Sequence, residues 1–69
     1  MVNINEFKAQ CARCGLPLED VVARLGTMSY ASFWRKLNGK SEFDRGDISR
    51  LKEILSLSDE QLLAIFFSE

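Results

Sequence analysis

The chain has 69 residues, of which 46% are hydrophobic and 28% charged, with a formal net charge of −1. That describes one small domain spanning residues 1–69, which on folding buries about 60% of the surface its unfolded chain exposes. It excludes a site between domains, a disordered chain and a membrane span, since no apolar run approaches the roughly 18–20 residues a span needs. The first residues, Met1 to Glu6, lack the basic and apolar regions of a signal peptide, so the expectation is a cytoplasmic protein without a membrane partner.

Apolar residues recur at helical spacing, and no run of β-branched residues alternates as a strand would, so the pattern predicts five short helices and an all-α fold. The first is expected from Ile4 to Cys14, capped by Asn3 with Glu6 three residues on, and striped by Ile4, Phe7, Cys11 and Cys14. Gly15 and Pro17 stop it. The second is expected over Leu18–Leu25, with Val21, Val22 and Leu25 inward and Gly26 at its end. Ser29 is a good cap for the third, which ends at Asn38-Gly39 and should bury Phe33 and Leu37, with Met28 just before it. The fourth starts at Asp44 and should bury Ile48, Leu51 and Leu55, with Ile54 alongside. The fifth opens with Ser58-Asp59-Glu60-Gln61, the pattern of a capping box.

Charge is segregated along this order. Residues 1–25 balance, residues 26–40 carry Arg35, Lys36 and Lys40 with no acid, and the remainder is acidic with no base after Lys52. Phosphate recognition needs a local positive footprint rather than a positive total, and only the 26–40 segment offers one along the chain.

Three other features carry alternatives. Cys11-Ala12-Arg13-Cys14 is a C-x-x-C, but a redox pair is expected at a helix N-terminus and a zinc site needs four ligands, whereas the chain has two cysteines and no histidine. The expected role is two small core residues, with no metal and no cofactor. Trp34 is expected beside Leu37, the alternative being a base or sugar contact. The C-terminal Leu62-Leu63-Ala64-Ile65-Phe66-Phe67 is too apolar for one stripe of a short helix. Leu62, Ile65 and Phe66 fit one stripe, with Leu63 and Phe67 beside it; one reading buries all five in a compact monomer, and the other makes Leu63, Phe66 and Phe67 a self-association or partner face. No catalytic pattern appears: there is no histidine, no phosphate-cradling glycine loop and no base beside a cysteine, so an enzyme is not expected.

Residues 18–38 read as helix, tight glycine-containing turn and second helix, the helix-turn-helix arrangement in which the second helix enters a major groove. With Val21, Leu25, Gly26, Met28, Phe33 and Leu37, then Asn38-Gly39-Lys40, the chain resembles the Cro and repressor family of phage helix-turn-helix proteins over nearly its whole length. The run Arg35-Lys36-Leu37-Asn38-Gly39-Lys40-Ser41-Glu42-Phe43 resembles in particular small regulators of Gram-positive phages and mobile elements. The resemblance implies a compact five-helix, lambda-repressor-like domain with a recognition helix over about 30–38. It implies base contacts from Tyr30, Ala31 and Arg35, and phosphate contacts from Ser29, Ser32, Lys36, Asn38 and Lys40. The implied activity is transcriptional regulation as a repressor, and the implied partners are a double-stranded DNA operator and a second copy of the chain. The alternative is an anti-repressor that binds another regulator protein through the same scaffold. The chain departs from the family at a turn that reads one residue longer, at Pro17 in place of a capping Ser or Thr, at Leu18 in place of a phosphate-contacting Gln, and at Val22 in place of a small residue.

Overall fold

A computed structural model describes residues 2–67 and realises the helical periodicity as α1 (Ile4–Arg13), α2 (Leu18–Leu25), α3 (Tyr30–Leu37), α4 (Arg45–Ile54) and α5 (Asp59–Phe66). No strand occurs among the described residues. The starts follow local chemistry. Asn3, Ser29, Asp44 and Ser58 each accept a hydrogen bond from the backbone N–H three residues on, and the last two complete reciprocal capping boxes with Asp47 and Gln61. Only α2 lacks a side-chain cap: Pro17 occupies that position, and Glu19 and Asp20 in its first turn offset the missing bond by meeting the positive helix end.

The ends are equally local. After α3, Gly39 N–H donates to the Lys36 carbonyl at 3.2 Å and Lys40 N–H to the Arg35 carbonyl at 2.9 Å. Gly39 sits at φ +79°, a left-handed conformation that closes the helix at no steric cost to a residue without a Cβ. The same double bond closes α1 at Gly15-Leu16 and α4 at Ser56-Leu57, where Ser56 takes φ 51°.

These elements surround one core. Four of the five phenylalanines meet in a closed circuit: Phe7 to Phe33 at 5.7 Å between ring centroids, Phe33 to Phe43 at 5.5 Å, Phe43 to Phe66 at 5.6 Å and Phe66 back to Phe7 at 6.4 Å. The tilted and edge-on geometries are those aromatic quadrupoles favour. Cys11, Val21, Val22, Leu25, Leu37, Leu51, Leu55, Leu57 and Ile65 are the other buried apolar residues of this core.

Two expectations about the core are corrected. Phe66 is only 6% exposed and belongs to the circuit, not to an outward face, because α5 turns Ile65 and Phe66 inward together. Ile48 is half-buried, and the inner position at the start of α4 is taken by Asp47. Gln10 is a buried polar residue that the apolar pattern does not reveal. Its amide donates to the Leu55 carbonyl at 2.9 Å, while its oxygen accepts from Arg13 at 2.7 Å and Gln61 at 3.2 Å.

The cysteines are free thiols on the inner side of α1. Cys14 donates to the same Leu55 carbonyl at 3.3 Å. Burial, reinforced by the neighbouring Cys14 sulfur, pushes the Cys11 thiol up from its ordinary 9.0 to about 11. Among the described residues no group of three His, Cys, Asp or Glu side chains converges to hold a metal ion. No helix among the described residues is long and apolar enough to cross a membrane.

Two outcomes follow from this core. Phe33→Ala opens a cavity in the aromatic circuit and should cost about 3–5 kcal/mol, a large share of the stability of so small a domain; an unchanged urea midpoint would contradict the circuit. Cys11 is buried with its thiolate disfavoured and Cys14 is only half-buried, so an alkylating reagent should modify Cys14 first and reach Cys11 on the timescale of unfolding. Equal labelling rates in the native protein, read by mass spectrometry, would refute that order.

Candidate nucleic-acid interface

The roll of α3 about its axis decides which side chains can meet a partner. At about 100° per residue, Phe33 and Leu37 form one stripe, and Ala31 and Arg35 lie roughly opposite. The structure has Phe33 and Leu37 buried and Ala31 and Arg35 exposed. The Arg35 guanidinium has no ion pair among the described residues. Lys40, just beyond the Gly39 closure, is likewise exposed and unpaired among them.

Tyr30 opens α3 with 42% of its surface exposed, and its ring meets Trp34 edge-on at 6.1 Å between centroids. Trp34 is half-buried against the core, as expected, and it also carries the Lys8 ammonium of α1 over its ring at 5.4 Å. Ser29 and Ser32 form the start of the helix: Ser29 Oγ accepts from the Ser32 N–H at 3.1 Å and lies within hydrogen-bond distance, 3.1 Å, of the Ser32 hydroxyl. Asn38 donates from its side-chain amide to the Trp34 carbonyl at 2.9 Å and thereby finishes the helix.

Lys36 departs from expectation. It lies three residues after Phe33, on the inner flank of α3, and its ammonium is 3.0 Å from Asp47 Oδ2, with the Phe43 ring 5.8 Å away on centroid distance. Asp47 also accepts from Thr27 in the α2–α3 turn at 3.3 Å and from the Asp44 backbone at 3.4 Å. One carboxylate therefore ties the turn, α3 and the start of α4 together. Burial alone raises the Asp47 pKa, but the Lys36 hydrogen bond, the Asp44 backbone and the Lys36 charge outweigh it and hold the carboxyl below its ordinary 3.8. In the structure Lys36 is thus engaged as a cation with Asp47, where the expectation was a phosphate contact.

At the C-terminal end Leu63 and Phe67 stand 56% and 61% exposed, whereas Phe66 is inside. Phe67 borders a shallow groove of about 440 Å³ that Val2, Phe43, Ile48 and Phe66 help to line. The two candidate surfaces are therefore separate sets of residues: the outward side of α3 and the C-terminal apolar pair.

Comparisons of the chain with protein-family models, with curated proteins and with solved structures return no match.

The Asp47 carboxylate gives a pH-dependent outcome. Lys36→Met keeps the apolar stem but strands a buried carboxylate, and should cost about 1–3 kcal/mol at pH 7. Because the folded pKa of Asp47 lies below its unfolded value, the pair's contribution is present above about pH 4 and is lost as pH falls through the folded pKa. The gap between wild type and variant in urea unfolding should therefore narrow as pH falls below about 4 and close once Asp47 is protonated in both states. A gap independent of pH would show that the ion pair contributes nothing.

Proposed function

We propose that this chain is a sequence-specific DNA-binding transcriptional regulator of the Cro-like repressor kind, in which α2 and α3 form a helix-turn-helix and α3 enters the major groove. The observation that most supports this reading is the outward stripe of α3. A short helix presents the exposed Ala31 and Arg35, the latter without an ion pair among the described residues, on the side opposite its buried pair, with Lys40 just past its end. A guanidinium there can bond guanine O6 and N7 together, and Ala31 with the Tyr30 ring can meet a thymine methyl. Ser29 and Ser32 lie at the positive end of the helix dipole, where hydroxyl and backbone donors suit a phosphate. With Lys36 neutralised by Asp47, two of the three cations of the 26–40 segment remain for DNA, Arg35 and Lys40. Affinity is then modest and falls with salt. Binding as a dimer to paired half-sites belongs to the same reading.

A second reading rests on the exposed Leu63 and Phe67, of which Phe67 borders the groove, and an apolar surface of this kind would suit a regulator protein bound by an anti-repressor. Selection of bound duplexes from a random pool separates the two. A DNA regulator enriches a site with two-fold symmetry, and an anti-repressor enriches none.

On the selected site Arg35→Ala should cost about 1–3 kcal/mol and less on random duplex. Lys40→Ala should weaken binding to both by a similar factor, as expected for a phosphate contact. Identical behaviour of the two variants on every sequence would reduce Arg35 to a phosphate clamp.

A further inference from the structure

We propose that the DNA-contacting surface extends off α3 onto α1, with Lys8, seated on the Trp34 ring, contacting a backbone phosphate beside the groove that α3 occupies. This inference rests on the DNA reading above and adds to it a cation and an aromatic that the helix-turn-helix pattern does not assign.

The two flanks of α3 are unlike. On one, Lys36 faces Asp47 at 3.0 Å, and the positive charge is cancelled by a carboxylate. On the other, Tyr30 and Trp34 make an edge-on aromatic pair, and Lys8 lies over the Trp34 ring at 5.4 Å. Counted at about 100° per residue, Trp34 lies between the buried stripe and the outward Ala31–Arg35 stripe, so its flank adjoins the proposed reading face. Lys8 is exposed and has no ion pair among the described residues.

The physical difference between the flanks is the nature of the partner. A carboxylate neutralises an ammonium, whereas an aromatic face attracts it through the ring quadrupole and leaves its full charge in place. Trp34 thus holds Lys8 in one location without removing its value to an anion. The long lysine side chain would otherwise have to be ordered by the phosphate itself. The result is a pre-positioned cation on the flank of the helix that bears Arg35, and a duplex backbone is an extended anion that cations on adjoining faces can contact together.

The test uses the intact chain and a random-sequence duplex of about 30 base pairs, with affinity measured across a salt series. Wild type is compared with Lys8→Ala, Lys8→Gln and Arg35→Ala. Arg13→Gln serves as the control, because it removes an equal charge from α1 at a residue bound to Gln10. Removing one cation that neutralises a phosphate should flatten the slope of log affinity against log salt by about 0.9. Both Lys8 variants should therefore show this change and Arg13→Gln should not, so that over a fourfold rise in salt wild type loses about three to four times more affinity than Lys8→Ala. Trp34 is the sole tryptophan, so its emission reports the site directly, and DNA should change it in wild type in a salt-reversible way. Unchanged slopes in both Lys8 variants, with Arg35→Ala weakened, would overturn this inference and leave the DNA reading standing. Equal flattening by Lys8→Ala and Arg13→Gln would reduce Lys8 to net charge and overturn it too. Absence of wild-type binding at the lowest salt would overturn both.

Discussion

Four phenylalanine rings, from α1, α3, the α3–α4 connection and α5, meet at 5.5–6.4 Å and close on one another. Helices of eight to ten residues are too short to hold their own form in water, so burial against a common centre must stabilise them. The circuit provides that centre, and it also fixes an angle. With Phe33 gripped between Phe7 and Phe43, α3 cannot rotate, and whatever lies half a turn away from Phe33 must face outward. The exposure of Ala31 and Arg35 is thus a consequence of where an aromatic ring is buried.

Electrostatics then act on that fixed helix. Asp47 is buried yet ionised because Lys36, the Asp44 N–H and the Thr27 hydroxyl all supply positive or donating partners. Its three partners come from the α2–α3 turn, α3 and the α4 cap, so a single carboxylate joins the elements on one side of the molecule. Gln10 plays a comparable part on the other side, where one amide serves Leu55, Arg13 and Gln61. Each of these networks satisfies its buried polar atoms completely, as native interiors generally do.

The helix starts at Asn3, Ser29, Asp44 and Ser58 were legible in the sequence because a cap is made by residues within one turn. The glycine closures at Gly15, Gly26 and Gly39 were legible for the same reason. The inward pairs Phe33–Leu37 and Val21–Leu25 followed from spacing alone. What spacing could not supply was any contact between residues far apart. Phe43 lies outside every helix, so no periodicity marks it as core. Helical spacing puts Phe66 on one stripe with Leu62 and Ile65 and leaves Phe67 beside it, and the packing of α5 against Phe7 and Phe43 follows that stripe. Lys36 read as a phosphate-binding cation because its partner lies eleven residues away on another helix. A helical wheel does place it on the flank shared with Phe33, and that was the available signal. The seating of Lys8 on Trp34 joins α1 to α3 and has no trace in the local sequence.

The side chains of α3 and its caps thereby differ in their freedom to change. Phe33, Leu37, Ser29, Asn38 and Lys36 each satisfy something inside the molecule: a ring contact, a cap, a carbonyl or a carboxylate. Ala31 and Arg35 satisfy nothing there. Descendants of this chain could exchange those two residues for many others with the fold intact, so surface chemistry and architecture can drift on separate clocks. A lineage built on this scaffold could diversify along that strip of a single helix while the aromatic circuit and the helix caps stood still.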